Sequence, residues 1–181
     1  MPNRLVLPPY ETVSEFEGKG NFAIRKYYAQ PYRGFYRRKL WMIIDEFEPK
    51  RFYRTALDFG SGPACIFKNT LSRVAFSVKC IDDKETIDRR WKFDLITCAS
   101  VLEFTTPETL DLLEWVLAPK GHIIIASPMD TWISNLYFWA IGDKKPRHPH
   151  GQILSEVSKR FKILTYKRWL GLYFVIKATK V

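Results

Sequence analysis

The sequence has few cysteines and no long apolar run. Its three cysteines, at Cys65, Cys80 and Cys98, have no paired spacing, which excludes a disulfide framework or a cysteine-based zinc site and predicts reduced thiols. No apolar run reaches the roughly 18 residues that a membrane-spanning helix needs, because residues 123–141 are interrupted by SPMD. The start, MPNRLVLPPYETV, has too short an apolar stretch for a secretory signal. We therefore expect a cytoplasmic protein.

Acidic residues are scarce relative to basic ones. The chain has 29 Lys and Arg against 19 Asp and Glu, a formal net charge of +10, and from residue 143 onward ten basic residues oppose two acidic ones. A basic surface attracts anionic partners, so we expect an anionic small-molecule or lipid-linked substrate. A solvated basic surface is the alternative. Nucleic acid is less favoured, because no aromatic platform is interleaved with the basic residues.

The pattern of the chain predicts a single domain in three parts. Residues 1–21 contain prolines and a glycine pair and suggest a flexible arm. Residues 22–54 predict a helical lid, with a helix from about Tyr32 to Phe47. Residues 55–181 alternate apolar strands with helical segments. This α/β order predicts a Rossmann-like, mostly parallel sheet with helices on both faces and an antiparallel strand near the C-terminus.

Basic residues occupy the first turns of the predicted helix of the lid. This is an unusual place for them, because a helix N-terminus already carries partial positive charge. A solvated face explains them, and an anion contact is the alternative. The cations are Arg33, Arg37, Arg38 and Lys39.

The stretch ALDFGSGPAC, residues 56–65, ends a predicted buried strand in a loop with few large side chains. Gly60 and Gly62 permit positive φ and let a ligand approach the backbone, and the predicted helix that follows offers unpaired N–H groups. The next predicted strand ends in Asp82 and Asp83, where an acid can bind ribose hydroxyls. A simple tight turn is the alternative for the glycines alone. The third glycine of the dinucleotide fingerprint is replaced by cysteine.

Four segments, in order, resemble the class I S-adenosylmethionine-dependent methyltransferases. They are ALDFGSGPA, VKCIDD, FDLITCASVLEF and LAPKGHIIIASP, within about residues 55–128. The resemblance implies S-adenosylmethionine as cofactor and methyl transfer to a small-molecule or lipid-linked acceptor. Two alternatives are an inactive methyltransferase-like scaffold that binds the cofactor or a partner, and an RNA-directed methyltransferase.

The resemblance also implies roles for individual residues. Asp58 and the glycines would contact the methionine portion, Asp82 would bind the ribose with Asp83 as second choice, and Ser100 would line the site near the sulfonium. Glu103 falls where family members often carry an acid, whereas Phe104 departs from their usual histidine. The implied cofactor-binding residues are Asp58, Gly60, Ser61, Gly62, Asp82, Asp83, Asp88 and Ser100.

The connection between the second and third predicted strands is too short for the family pattern. Only DKETIDRRW lies there, whereas a crossover with its helix takes at least about 10–12 residues. This predicts the loss of one edge strand and its helix. Asp88 would then bind the adenine amino group and Trp91 would stack on the ring, with Trp91 as core filler the alternative.

Methyl transfer needs orientation of the reactants, and a base only where the acceptor loses a proton. His122 falls in a predicted strand and is expected to be structural. His148 and His150, in the predicted loop RHPHG, are the candidate catalytic residues, as base or substrate contact.

The segment WISNLYFWAIG is apolar nearly all round. A helix buried against the sheet explains this composition. The alternative is an exposed aromatic face beside Lys144, Lys145 and Arg147, suited to peripheral membrane contact or a lipid-linked substrate.

Overall fold

A six-stranded sheet forms the core of the protein. The structure is a computed structural model that describes residues 4–17, 25–29, 32–48, 50–105, 107–140 and 148–181. The strand order is β2-β1-β3-β4-β6-β5; the first four strands run parallel, and β6 runs antiparallel to both of its neighbours. The predicted fold class is confirmed. The strands are β1 (Tyr53–Phe59), β2 (Ala75–Ile81), β3 (Phe93–Ala99), β4 (Leu117–Pro128), β5 (Phe161–Trp169) and β6 (Tyr173–Lys180).

Helices cover both faces of the sheet. One face packs against α5 and α7, and the other packs against α3 and α4. Among the described residues, none of the helices has the length and apolar character needed to cross a bilayer. The helices are α1 (Tyr10–Ser14), α2 (Arg25–Tyr28), α3 (Tyr32–Ile44), α4 (Lys68–Leu71), α5 (Pro107–Val116), α6 (Trp132–Ala140) and α7 (His150–Arg160).

The connection from β2 to β3 contains neither a strand nor an α-helix, so β2 lies at the edge of the sheet. Only a 3₁₀ turn, Lys84–Thr86, occurs in it. Ile87 is buried against the core, and Trp91 is half-buried, edge-on to Phe93, with the Lys79 ammonium 4.2 Å from its ring centre. Two apolar side chains thus cover a surface that a complete helix would otherwise cover.

The described part of the predicted flexible arm, residues 4–17, is packed on the core. Val13 is buried. The backbone N–H of Val6 donates to the Thr70 hydroxyl, which donates in turn to the Val6 carbonyl. The Tyr28 hydroxyl donates to the carbonyl of Pro8. The described part of the arm thus contacts the core through apolar and backbone groups. The division of the chain into arm, lid and core stays a prediction, and residues 1–3 and 18–21 lie outside the described residues.

Candidate functional site

The two glycines of the loop after β1 have different surroundings. Both have positive φ, +71° at Gly60 and +64° at Gly62. A Cβ on Gly60 would lie 1.9 Å from the Val101 side chain, whereas a Cβ on Gly62 would meet nothing within 4 Å. Gly60 is thus required by packing inside the protein. Gly62 is the position that leaves room for a ligand beside the backbone.

The helix after the glycine loop is shorter than predicted. The sequence predicts a short helix within PACIFKNTLSR, residues 63–73, but α4 spans only Lys68–Leu71. The residues before it form turns, in which the Cys65 N–H donates to the Gly62 carbonyl. Because the helix begins six residues beyond Gly62, its N-terminus does not serve the glycine loop, and the expectation of a helix end facing the ligand is wrong. The residues between Gly62 and Lys68 form these turns instead of the first part of the helix.

Asp58, near the end of β1, is a buried carboxylate. It is 3% exposed, and its Oδ1 accepts a hydrogen bond of 2.8 Å from the Thr97 hydroxyl on β3. Burial raises the pKa of Asp58 to about 7; the nearby Asp82 acts in the same direction, and the Thr97 hydrogen bond and the Lys39 charge oppose it. This carboxyl group therefore changes charge near neutral pH.

Lys39, on α3, is a buried cation in the same region. It is 2% exposed, and its Nζ donates to the Ser100 hydroxyl at 2.7 Å. The ammonium lies 4.7 Å from the ring centre of Tyr36 and 5.5 Å from that of Tyr173, an arrangement that stabilises a desolvated cation. The predicted solvated face is therefore wrong for Lys39, although Arg38 beside it is exposed.

The sequence contains a signal that marks Lys39. It lies three residues after Tyr36 and four before Ile43, both on the buried face of the helix. Positions three and four apart share one side of a helix. A cation on the apolar side of an amphipathic helix indicates a buried partner.

The loop after β3 brings further polar groups to the same edge of the sheet. Ser100 has an unusual positive φ of +61°, and its N–H donates to the Ala126 carbonyl on β4. Glu103 is 1% exposed and accepts a 2.6 Å hydrogen bond from the Ser127 hydroxyl. Burial raises the pKa of the Cys98 thiol, and the charges of Asp58 and Glu103 act in the same direction. We call Asp58, Lys39, Thr97 and Ser100 the buried polar cluster.

The acids after β2 have two different roles. Asp82 is exposed, and its Oδ1 accepts the N–H of Gly62 at 3.1 Å. Asp83 accepts the N–H of Glu85 at 3.0 Å and so caps the 3₁₀ turn. Asp82 is therefore the acid joined to the glycine loop, as the sequence favours.

Asp88 lies further along the connection between β2 and β3. Its carboxylate receives the Arg90 guanidinium at 2.6 Å, and hydrogen bonds from Arg90 lower the pKa of Asp88. Ser61 donates to the carbonyl of Gly62, so its hydroxyl remains within the loop. The adenine-binding role implied for Asp88 stays a prediction.

Both candidate catalytic histidines lie near the carboxyl ends of β3 and β4. The N–H of His148 donates to the Glu103 carbonyl, and the residue lines a small pocket, open to solvent, between α5 and α7. His150 is the first residue of α7 rather than part of a loop. Its Nδ1 accepts the N–H of Asp130 at 3.2 Å. The catalytic role of both residues stays a prediction; within the described ranges no cluster of His, Cys, Asp and Glu suits a metal ion.

Comparisons with known proteins find similarity in structure only. No protein-family model matches the chain, and no curated protein matches it. The N-methyltransferase NodS from Bradyrhizobium japonicum WM9, in complex with S-adenosyl-L-homocysteine, has 13% identity and a TM-score of 0.63, covering 94% of this chain and 97% of its own.

Two further solved structures show the same likeness. The magnesium protoporphyrin IX methyltransferase ChlM from Synechocystis PCC 6803, with bound S-adenosylhomocysteine, has 13% identity and a TM-score of 0.57, covering 95% of this chain and 94% of its own. The 1,6-didemethyltoxoflavin-N1-methyltransferase from Burkholderia thailandensis has 13% identity and a TM-score of 0.59, covering 81% and 78%. The chain therefore has the fold of the class I S-adenosylmethionine-dependent methyltransferases. The resemblance found in the four sequence motifs is confirmed at the level of the fold.

Proposed function

We propose that this protein is an S-adenosylmethionine-dependent methyltransferase whose buried polar cluster holds the methionine end of the cofactor. The observation that carries the proposal is the burial of two ionisable groups of opposite sign, Asp58 and Lys39, near one another, with the open backbone of Gly62 four residues after Asp58. Burying charges is costly unless each has a partner. Perturbed ionisable groups in such positions are common at functional sites.

The cluster fits the chemistry of an amino acid. The methionine end of the cofactor carries an ammonium and a carboxylate, for which Asp58 and Lys39 supply the complementary charges. Ser100, hydrogen-bonded to Lys39, orients the lysine ammonium. Gly62 leaves room for the rest of the ligand, because a Cβ at this position would meet nothing within 4 Å. The free oxygen of Asp82 would then accept hydrogen bonds from the ribose hydroxyls.

The bound cofactor would supply a methyl group activated by a sulfonium. This chain's residues would orient the acceptor and exclude water, and orientation alone can provide about 7–11 kcal/mol. His148 and His150 are the candidate bases for an acceptor that must lose a proton. The acceptor is a small molecule or a lipid-linked molecule, and we expect the reaction in the cytoplasm, at the membrane surface if the acceptor is a lipid.

A second candidate function is a methyltransferase-like scaffold that binds the cofactor without catalysis. It is favoured by the short connection between β2 and β3, which removes the strand and helix expected beside adenine, and by the four-residue α4. Both features reduce the enclosure of the nucleoside. The scaffold retains the buried polar cluster, so it predicts binding without turnover.

Calorimetry with S-adenosylmethionine and S-adenosylhomocysteine tests binding. We expect both to bind, and no binding at millimolar ligand would contradict both candidate functions. Transfer of a labelled methyl group into a cell extract, separated into aqueous small molecules, organic-extracted lipids, protein and nucleic acid, then tests catalysis. Label in the first two fractions supports the enzyme, whereas binding without label supports the scaffold. Label in the nucleic-acid fraction would contradict the proposed acceptor.

A further inference from the structure

Helix α6 presents its apolar side chains to solvent. Trp132 is 75% exposed, Leu136 55% and Trp139 78%, and Ile133 is also exposed. These positions share one helical face, since residues three and four apart are neighbours. The opposite face buries Phe138 together with the polar Ser134 and packs on β6 through Tyr173. The usual amphipathic arrangement, apolar inward and polar outward, is thus largely reversed.

The turn between β5 and β6 extends this surface. Leu170 is 64% exposed and has a positive φ of +48°, a conformation that costs a non-glycine residue about 1–2 kcal/mol. The Thr131 hydroxyl, at the start of α6, donates to the Gly171 carbonyl at 2.6 Å. An apolar side chain in a strained, exposed position next to the apolar face of α6 makes one continuous surface. We call Trp132, Ile133, Leu136, Trp139 and Leu170 the apolar patch.

Exposed cations lie on elements that adjoin the apolar patch. Arg168 is exposed two residues before Leu170, and Arg38 is exposed on α3, which contacts α6 through Phe35 and Tyr137 at 4.8 Å between ring centres. The sequence adds Lys144, Lys145 and Arg147 within seven residues of the end of α6. Asp130 precedes the helix as an acid and accepts a hydrogen bond from Asn135. The net charge of the chain is +10.

We propose that the apolar patch docks the protein on the surface of an anionic membrane. Tryptophan side chains favour the interface between water and lipid, and cations next to an apolar surface add attraction to anionic headgroups. The surface lies beside the candidate site, since α6 follows the carboxyl end of β4 directly. Docking would bring the site to a lipid acceptor, but membrane binding itself requires neither the cofactor nor catalysis.

The charges favour a membrane over a second copy of the chain. A symmetric dimer through the same surface would bring like patches face to face. The cations Arg38 and Arg168 of both copies would then approach one another, and like charges across an interface are unfavourable. An anionic bilayer accepts the apolar side chains and neutralises the cations at the same time.

Sedimentation with lipid vesicles tests the proposal. We expect the protein to bind vesicles containing phosphatidylglycerol at least tenfold more strongly than vesicles of phosphatidylcholine alone, and to dissociate at high salt. The double variant Trp132→Ser, Trp139→Ser should lower partition at least tenfold. The matched control is Phe76→Ser, which removes an 82% exposed aromatic on β2, at the other edge of the sheet, and should leave partition unchanged.

Equal partition of the double variant and the wild type would overturn the proposal. So would a dimer, measured by light scattering without lipid, that the double variant abolishes. Leu170→Gly separates docking from folding, because glycine accepts the positive φ without strain. It should raise the melting temperature and lower vesicle partition at least threefold; unchanged partition would contradict a role for the turn. A negative vesicle result leaves cofactor binding by calorimetry unaffected, so the two proposals fail separately.

Discussion

The two halves of the candidate site differ in how far the protein has built them. The half that we propose for the methionine end of the cofactor, called the methionine half, consists of buried groups such as Asp58 on β1 and Lys39 on α3, each held by a hydrogen bond to a neighbouring hydroxyl. The nucleoside half, after β2, consists of Asp82 and Asp83 on the surface. A preorganised half binds without loss of conformational freedom, whereas an exposed half must be ordered by the ligand. We therefore expect most of the affinity for the cofactor to come from the methionine half.

The difference has a cause in the sequence. The connection between β2 and β3 is too short for a strand and a helix, so Ile87 and Trp91 cover the sheet instead. Side chains that cover the core cannot also enclose a ligand. The sheet edge after β2 is thus covered by these two side chains rather than by a further helix and strand.

The largest predicted effect concerns Lys39. Lys39→Met keeps the length of the side chain and removes the charge, so the carboxylate of the cofactor would lose its partner, a loss worth about 2–5 kcal/mol. We expect affinity for S-adenosylhomocysteine to fall about a hundredfold, measured by calorimetry. The matched control is Arg38→Met, an exposed cation on the same helix, which should bind within about twofold of the wild type. Equal affinity of the two variants for S-adenosylhomocysteine would contradict the claim that the methionine half supplies most of the binding free energy.

The second prediction uses the titration of Asp58. Its pKa of about 7 means that the charged form, which pairs with the cofactor ammonium, increases through neutral pH. Affinity should rise about thirtyfold between about pH 5.5 and 8, measured by calorimetry in buffers of equal ionic strength. Asp58→Asn should bind weakly and without this dependence. A wild-type profile that is flat over this range would show that Asp58 is not the partner of the ammonium.

The same shift sets the sign of the pH dependence of stability. Burial raises the pKa of Asp58 above its usual value, so between about pH 4 and 7 the folded state binds more protons than the unfolded state. The free energy of unfolding contributed by Asp58 therefore decreases as pH rises through that range. Denaturant melts of the wild type should show this slope, and Asp58→Asn should lack it.

The third prediction separates the two glycines. Gly62→Ala should lower affinity about tenfold with a stability cost near the 1–2 kcal/mol of a positive φ, because the space beside it is open. Gly60→Ala should cost more stability, since its Cβ would overlap Val101. Adding Val101→Ala to Gly60→Ala should restore part of the melting temperature. Thermal melts and calorimetry on the same samples distinguish a packing glycine from a ligand-facing one.

The fold could be predicted from the sequence because its signals are local and repeated. Apolar runs separated by helical segments define the parallel strands, and the shortness of DKETIDRRW predicts the missing edge element. Asp58 and Asp82 could be found in the same way, because Asp58 is the next-to-last residue of β1 and Asp82 directly follows β2.

The remainder of the site depends on contacts between distant parts of the chain. The burial of Lys39 requires Ser100, 61 residues away, and no spacing reveals that hydrogen bond. The contact of Val101 with Gly60 likewise arises from neighbouring strands. The helix predicted after the glycine loop is present, but it is shortened to α4 because turns around Cys65 override the helix propensity of the preceding residues.

The smallest predicted effects lie in the nucleoside half. Asp82→Asn keeps an acceptor for the Gly62 N–H and removes the charge, so affinity should fall only about threefold, as expected for an exposed group. Asp88→Asn should change affinity less than twofold, because the Asp88 carboxylate is already engaged by Arg90. Calorimetry measures the affinity of both variants for two ligands, S-adenosylhomocysteine and 5′-methylthioadenosine. The second ligand lacks the amino-acid end. The contrary result is that Asp82→Asn lowers the affinity for S-adenosylhomocysteine as much as Lys39→Met does. That result would show that the exposed half contributes as much affinity as the buried half, and it would contradict the assignment of most of the affinity to the methionine end.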